Sequence, residues 1–167
     1  MWYAELKTDL LAARDARQAV LEDALSLGMT ATLLLSLGIP GDNKRPPGAQ
    51  RLFQWAHRSL LAAYPGLTEA GTGEDLLGPY AILAGPVDPG ELKRGCIELE
   101  SSFPVSRLLD VDVYTATGTA VDRELLQLEQ RRCLLCDAPA KECIRLGRHP
   151  HFQLVNKANE LLQPFSN

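Results

Sequence analysis

The chain has 167 residues, 46% of them hydrophobic and 23% charged, which fits a globular protein that buries one core in a single domain over residues 1–167. A net charge of -4 and a pI near 5.4 argue against a general nucleic-acid binder, which carries a basic excess. No apolar run approaches the roughly 20 residues that span a bilayer, and the first residues lack a basic stretch followed by an apolar one. The expected compartment is the cytoplasm, with no membrane partner.

From Asp9 to Leu27 the residues Leu10, Ala13, Val20, Ala24 and Leu27 recur at helical spacing, with Asp9 the predicted cap and Gly28 the stop. Arg14, Arg17 and Gln18 share another face, either as an anion-facing patch or as a solvated face with Arg–Asp pairing. Met29 to Leu37 reads as a buried strand. It empties into a Gly- and Pro-rich loop, residues 38–48, followed by a helix from Ala49 to about Tyr64. Such a loop presents backbone amides and a helix dipole to phosphates, and Lys44, Arg45 and Arg51 add full charges; a plain connection is the alternative. Leu52, Phe53, Ala56 and Leu60 are the core candidates of that helix, Trp55 a packing residue or a base-stacking platform, and His57 a surface or satisfied histidine.

Residues 64–77 read as a connection. Strands are predicted over Tyr80–Gly85, Cys96–Phe103 and Leu108–Thr115, then a turn at 115–119 into a short strand, Ala120–Asp122. In the third of these Asp110 and Asp112 project together while Leu109, Val111 and Val113 face the other way. Like charges on a half-buried strand repel and resist desolvation, and a divalent cation compensates them. Magnesium takes one or two carboxylates plus phosphate oxygens, which points to phosphoryl or nucleotidyl transfer; a solvated face is the alternative. By the same alternation Glu98 and Glu100 share a face, so that Glu100 furnishes a third carboxylate or belongs to a charged edge strand.

Three of the four cysteines fall within eleven positions, a pattern of metal or redox use in a reducing compartment. Cys133, Cys136, Cys143 and His149 suit a closed tetrahedral zinc site, with His151 an alternative fourth ligand, and would staple residues 131–151. Free buried thiols and C-x-x-C redox chemistry are the alternatives. A last amphipathic helix is predicted over Phe152–Leu162 with Phe152, Val155, Ala158 and Leu162 inward.

Read together, Ile97 to Glu100, Pro104, the run from Arg107 to Val113, and Arg131-Arg132-Cys133-Leu134-Leu135-Cys136 resemble in order the I-E-L-E, Pro, G-R-L-x-D-x-D-V and R-R-C-L-L-C elements of the holo-citrate lyase synthase family. It is also called the apo-citrate lyase phosphoribosyl-dephospho-CoA transferase (CitX) family. Leu11 with Arg14 to Gln18 resembles its L-x-x-R-D-x-R-Q element, and Pro40 to Lys44 its P-G-x-x-K loop, so the likeness spans nearly the whole chain; Ser106 stands where the family has Gly.

The resemblance implies transfer of the 2'-(5-triphosphoribosyl)-3'-dephospho-CoA prosthetic group to a serine of the citrate lyase acyl carrier protein, with release of pyrophosphate. Asp110 and Asp112 would hold magnesium against the triphosphate, and Arg107, Lys44, Arg14, Arg17 and Arg51 would neutralise its charge. Glu100 or an aspartate would accept the serine proton, the nucleophile belonging to the partner. Two rivals are a nucleotidyltransferase for another carrier, such as that of malonate decarboxylase, and a non-enzymatic zinc-stapled adaptor that binds an acyl carrier protein through basic patches. The expected fold is α+β, a small and mostly antiparallel sheet flanked by helices at the N-terminus, middle and C-terminus. The aspartate strand is also similar to that of the polymerase-beta-type nucleotidyltransferases, an analogy at the level of fold.

Overall fold

The computed structural model describes residues 2–166, with side chains described from residue 8 onward. The chain runs α1 (Trp2–Leu25), β1 (Ala31–Leu37), α2 (Ala49–Ala63), β2 (Thr68–Asp75), β3 (Gly78–Gly85), α3 (Pro89–Ser101), β4 (Leu109–Thr115), α4 (Ala140–Leu146) and α5 (His151–Leu162). The strands form one sheet in the order β2-β3-β1-β4 with every neighbouring pair antiparallel, the α+β architecture expected. No described helix is long and apolar enough to cross a membrane.

Alternation decides which side of the sheet meets which helices. Leu33 and Leu35 of β1, Ala81 and Leu83 of β3, and Val111 and Val113 of β4 face one way and are sealed against Leu52, Ala56 and Leu60 of α2 and Leu92 of α3. Each leucine so buried contributes roughly 1.5–3 kcal/mol by leaving water. On the opposite side Leu21 and Ala24 of α1 close over Ile82, with Leu34, Tyr80 and Tyr114 around them. Helix α1 packs over β1, β2 and β3.

Several expectations need correction. Helix α1 begins at Trp2, so Asp9 lies inside it and not at its cap; the Ala, Glu, Leu and Lys residues before Asp9 are strong helix formers. Leu27 is 62% exposed beyond the helix end, and the core position on that face is Leu21. The segment 64–77 contains β2, hidden from sequence reading by its glycines, which strands ordinarily disfavour. Packing requires them, because a Cβ on Gly71 would stand 2.8 Å from Val20 Cγ1 and one on Gly73 2.8 Å from the Tyr80 ring. The expected strand Cys96–Phe103 is the end of helix α3. Asp88 caps that helix by accepting the Glu91 N–H at 2.8 Å, Pro89 follows at its first position, and Leu92 and Cys96 recur at i, i+4. Glu98 and Glu100 therefore do not share a face: the first is exposed, the second buried. Ala120–Asp122 is reduced to a single bridge between Tyr114 and Ala120. In α5 Ala158 and Leu162 are buried as expected, but Phe152 is 62% exposed.

Candidate active site

Strand β4 forms one edge of the sheet, and most of the backbone groups on its outer side are taken. Glu100 accepts the Val111 N–H at 3.2 Å, Lys93 Nζ donates to the Val111 carbonyl at 2.5 Å, Arg131 Nη2 donates to the Leu109 carbonyl at 2.7 Å, and the Val121 N–H donates to Val113 at 2.8 Å. Strand β4 is thus clasped from the side by α3 and by the segment after it, which rigidly presents the opposite face of the strand. Asp110 and Asp112 stand on that face, opposite Ser36 and Leu34 of β1, with Leu109, Val111 and Val113 in the core as the alternation predicted. Crowding by the protein raises the Asp112 carboxyl above its ordinary pKa and Asp110 adds to the rise, partly offset by Lys93. A pair under this strain is a ready ligand set for a divalent cation.

Arg107 sits in the 3-10 turn Val105–Leu108 that enters β4. Ser106 closes the turn, its buried hydroxyl donating to the Phe103 carbonyl at 2.7 Å and accepting the Phe103 N–H at 3.0 Å, and its backbone is not in the left-handed region that would require Gly. Arg107 Nη2 donates to the carbonyls of Cys133 and Arg132. In return Arg131 Nη2 donates to the Arg107 carbonyl, while its Nη1 lies 3.7 Å from Asp110 Oδ1. The two guanidiniums interlock residues 131–133 with the start of β4. Beside them opens a cavity of about 490 Å3, with Arg107, Asp110, Arg131 and Arg132 on one wall and Cys143 and His149 on another. A second cavity of about 620 Å3 lies across the same arginines, toward the end of α3.

The fourth feature was legible as a pattern. Sγ of Cys133, Cys136 and Cys143 and a ring nitrogen of His149 lie within 4.8 Å of one another, with Cys136 Sγ 3.5 Å from Cys143 Sγ and 3.3 Å from His149 Nε2. Ligands of a tetrahedral zinc ion, about 2.3 Å (S) and 2.0–2.1 Å (N) from the metal, are separated by about 3.5–3.8 Å. The group can therefore hold a metal ion. The Ala138 backbone N–H and then the His149 ring bring the Cys136 thiol down to about 6, whereas burial and the neighbouring thiols push Cys143 up to about 11. The cysteines come together because Cys133 N–H donates to Ala138 (2.7 Å) and Ala140 N–H to Arg131 (2.8 Å), a tight hairpin that hands the chain to α4. That short helix, with Cys143 on its buried side, escaped the sequence reading.

Other expected site residues are elsewhere. Arg17 is part of the framework: it pairs with Asp75 at 2.6 Å, donates to the Gly78 carbonyl at 3.0 Å and lies over the Tyr80 ring. Of the two readings of that helix face, Arg–Asp pairing holds for this residue. Glu100 is 6% exposed and bound to Val111 and, at 3.0 Å, to Arg123, so it braces β4; it comes from helix α3 and not from a strand, its charge adds to the rise of Asp112, and it lines the second cavity. Lys44 Nζ donates to the Ile39 carbonyl at 2.6 Å, its pKa lowered by desolvation. Arg14 and Arg51 are exposed on α1 and α2, outside the cavity wall, and His151 is outside the Cys/His group although it lines the cavity. Arg131 and Arg132 were missed as site residues; their position directly before the C-x-x-C pair was the available signal.

A family profile described as apo-citrate lyase phosphoribosyl-dephospho-CoA transferase matches residues 6–165. Proteins of that name from Citrobacter koseri and Escherichia coli are respectively 33% and 34% identical over 158 residues, 92% of this chain and 86% of each relative. A Shigella boydii protein of the same name is 34% identical over the same span.

Proposed function

The chain belongs to the apo-citrate lyase phosphoribosyl-dephospho-CoA transferase family, and from that premise we propose that it attaches the phosphoribosyl-dephospho-CoA group to a serine of the citrate lyase acyl carrier protein. The donor in this reading is triphosphoribosyl-dephospho-CoA. The serine oxygen forms a bond to the α-phosphorus, the bond from that phosphorus to the bridging oxygen of the β-phosphate breaks, and pyrophosphate leaves with the electron pair. The serine proton passes to a carboxylate of the Asp110–Asp112 pair or to solvent. Neither a malonate decarboxylase-type carrier nor a non-enzymatic adaptor is favoured by the family match or by the relatives' names.

One observation carries the reading: Asp110, paired with Asp112 along the same face of a clasped edge strand, lines a cavity with Arg107, Arg131 and Arg132. Asp110 and Asp112 would hold Mg2+, which when bound neutralises charge on the phosphates. The arginines supply planar forks that match phosphate oxygens, and both bonds Arg107 makes to backbone leave from Nη2, which carries two of its five N–H donors. Glu100 serves the fold through Val111 and Arg123. We assign the Cys/His group to a structural Zn2+ ion. Reduced thiols held in that arrangement fit the cytoplasm. The test is the mass of purified apo-acyl carrier protein after incubation with enzyme, donor and Mg2+. A gain equal to the phosphoribosyl-dephospho-CoA group, lost when the acceptor serine is replaced by Ala, is expected; an unchanged mass on the citrate lyase carrier would refute the assignment.

A further inference from the structure

We infer that the Cys133, Cys136, Cys143 and His149 centre positions the arginines of the neighbouring cavity, so that its occupancy by zinc sets the affinity of that cavity for a polyphosphate. This rests on the reading of the cavity as the donor's phosphate site. The connection is short and consists of bonds already described. The carbonyl of Cys133, whose sulfur is a ligand, accepts from Arg107 Nη2. Two residues earlier, Arg131 reaches back to the Leu109 carbonyl at 2.7 Å and to within 3.7 Å of Asp110. Both arginines, Asp110, Cys133, Cys143 and His149 line one cavity.

Apart from Leu134, which packs half-buried against the main core, few apolar side chains fix this wall. Ile144 and Leu146 of α4 are exposed, and Cys133 and Cys143 are its buried apolar side chains. A metal ion that binds four ligands at once replaces the missing hydrophobic anchor and orders the segment. Without it residues 131–149 are the low-stability part of the chain, and opening there releases the carbonyl that aims Arg107. In this inference the metal ligands act through Arg107 and Arg131.

Titration of the full chain with tripolyphosphate in the presence of Mg2+ tests this. Zinc-loaded protein is compared with protein stripped by a chelator and then freed of it, each in wild type and Arg107→Ala. Stripping should weaken tripolyphosphate binding by about 5- to 150-fold in wild type and far less in Arg107→Ala, while hydrogen exchange in β1 and β3 stays slow. Because coupling is reciprocal, saturating tripolyphosphate must tighten zinc binding by the same factor. Chelator competition on loaded, folded protein reads this even if the stripped form loses its fold. Equal tripolyphosphate affinity with and without zinc overturns the inference and leaves the donor-site reading standing. So does an equal loss in Arg107→Ala, or protein that neither carries nor takes up zinc. Loaded protein that ignores tripolyphosphate overturns both.

Discussion

Between Ala31 and Val113 the leucines and valines on one face of three strands are shut away against α2 and α3, whereas between Arg131 and His151 Ile144 and Leu146 face solvent and the fully buried apolar groups are thiols. The first region is held by area removed from water, the second by directional contacts: two interlocked guanidiniums, a hairpin and four candidate ligands. The candidate site lies where the two meet. One region supplies a rigid carboxylate pair, and the other supplies charges whose position depends on bonds that a single change can undo.

The largest effect should come from the brace between the regions. Glu100→Ala leaves Arg123 without its carboxylate partner and the Val111 N–H without an acceptor, and should cost about 3–5 kcal/mol in urea unfolding. Donor affinity measured on the remaining folded protein should be unchanged, and a selective loss of activity at full stability would return Glu100 to the chemistry. Next come the carboxylates themselves. Asp110→Asn or Asp112→Asn should slow transfer at least about 100-fold by loss of a metal ligand, with no loss of melting temperature; normal turnover in both would end the metal–carboxylate reading.

A smaller, local effect should separate the two regions directly. Cys136→Ser, or chelation, should open residues 131–149 to a protease first, with the sheet intact. Simultaneous cleavage everywhere would mean that the two regions are one cooperative unit. The smallest effect concerns pH. The fold raises the Asp112 carboxyl, first by desolvation and then through Asp110, so it favours the protonated form. The stabilisation is complete below the ordinary carboxylate range and is lost as pH rises through the raised value. Metal-free wild type should therefore lose melting temperature over that rise, and Asp112→Asn should show less of the loss.

Sequence legibility followed the range of the interactions. The strand from Leu109 to Val113 was readable because its alternation is local and complete. Helix α3 was misread because Ile97-Glu98-Leu99-Glu100 alternates like a strand, although Asp88 and Pro89, nine and eight residues before Ile97, carried the true helix signal. Arg17 and Arg107 look alike as charges in motifs, yet one is spent on Asp75 and the other lines the cavity. Only partners 58 and 26 residues away in the chain distinguish them. The cysteine spacing indicated a ligand set but not its neighbours, since the contact between Cys133 and Arg107 is made by a backbone carbonyl and has no side-chain signature.

An edge strand with vacant N–H and C=O groups invites a strand from another molecule. Lys93, Glu100, Arg131 and Val121 occupy most of those groups along β4, so this edge offers little template for a strand from another molecule. The other edge, β2, carries the exposed carboxylates of Glu69 and Glu74, and charged side chains on an edge discourage strand addition. Handling this protein at high concentration should therefore leave the mouth of the site open, and an affinity tag or fusion that adds a strand belongs on the β2 side of the sheet.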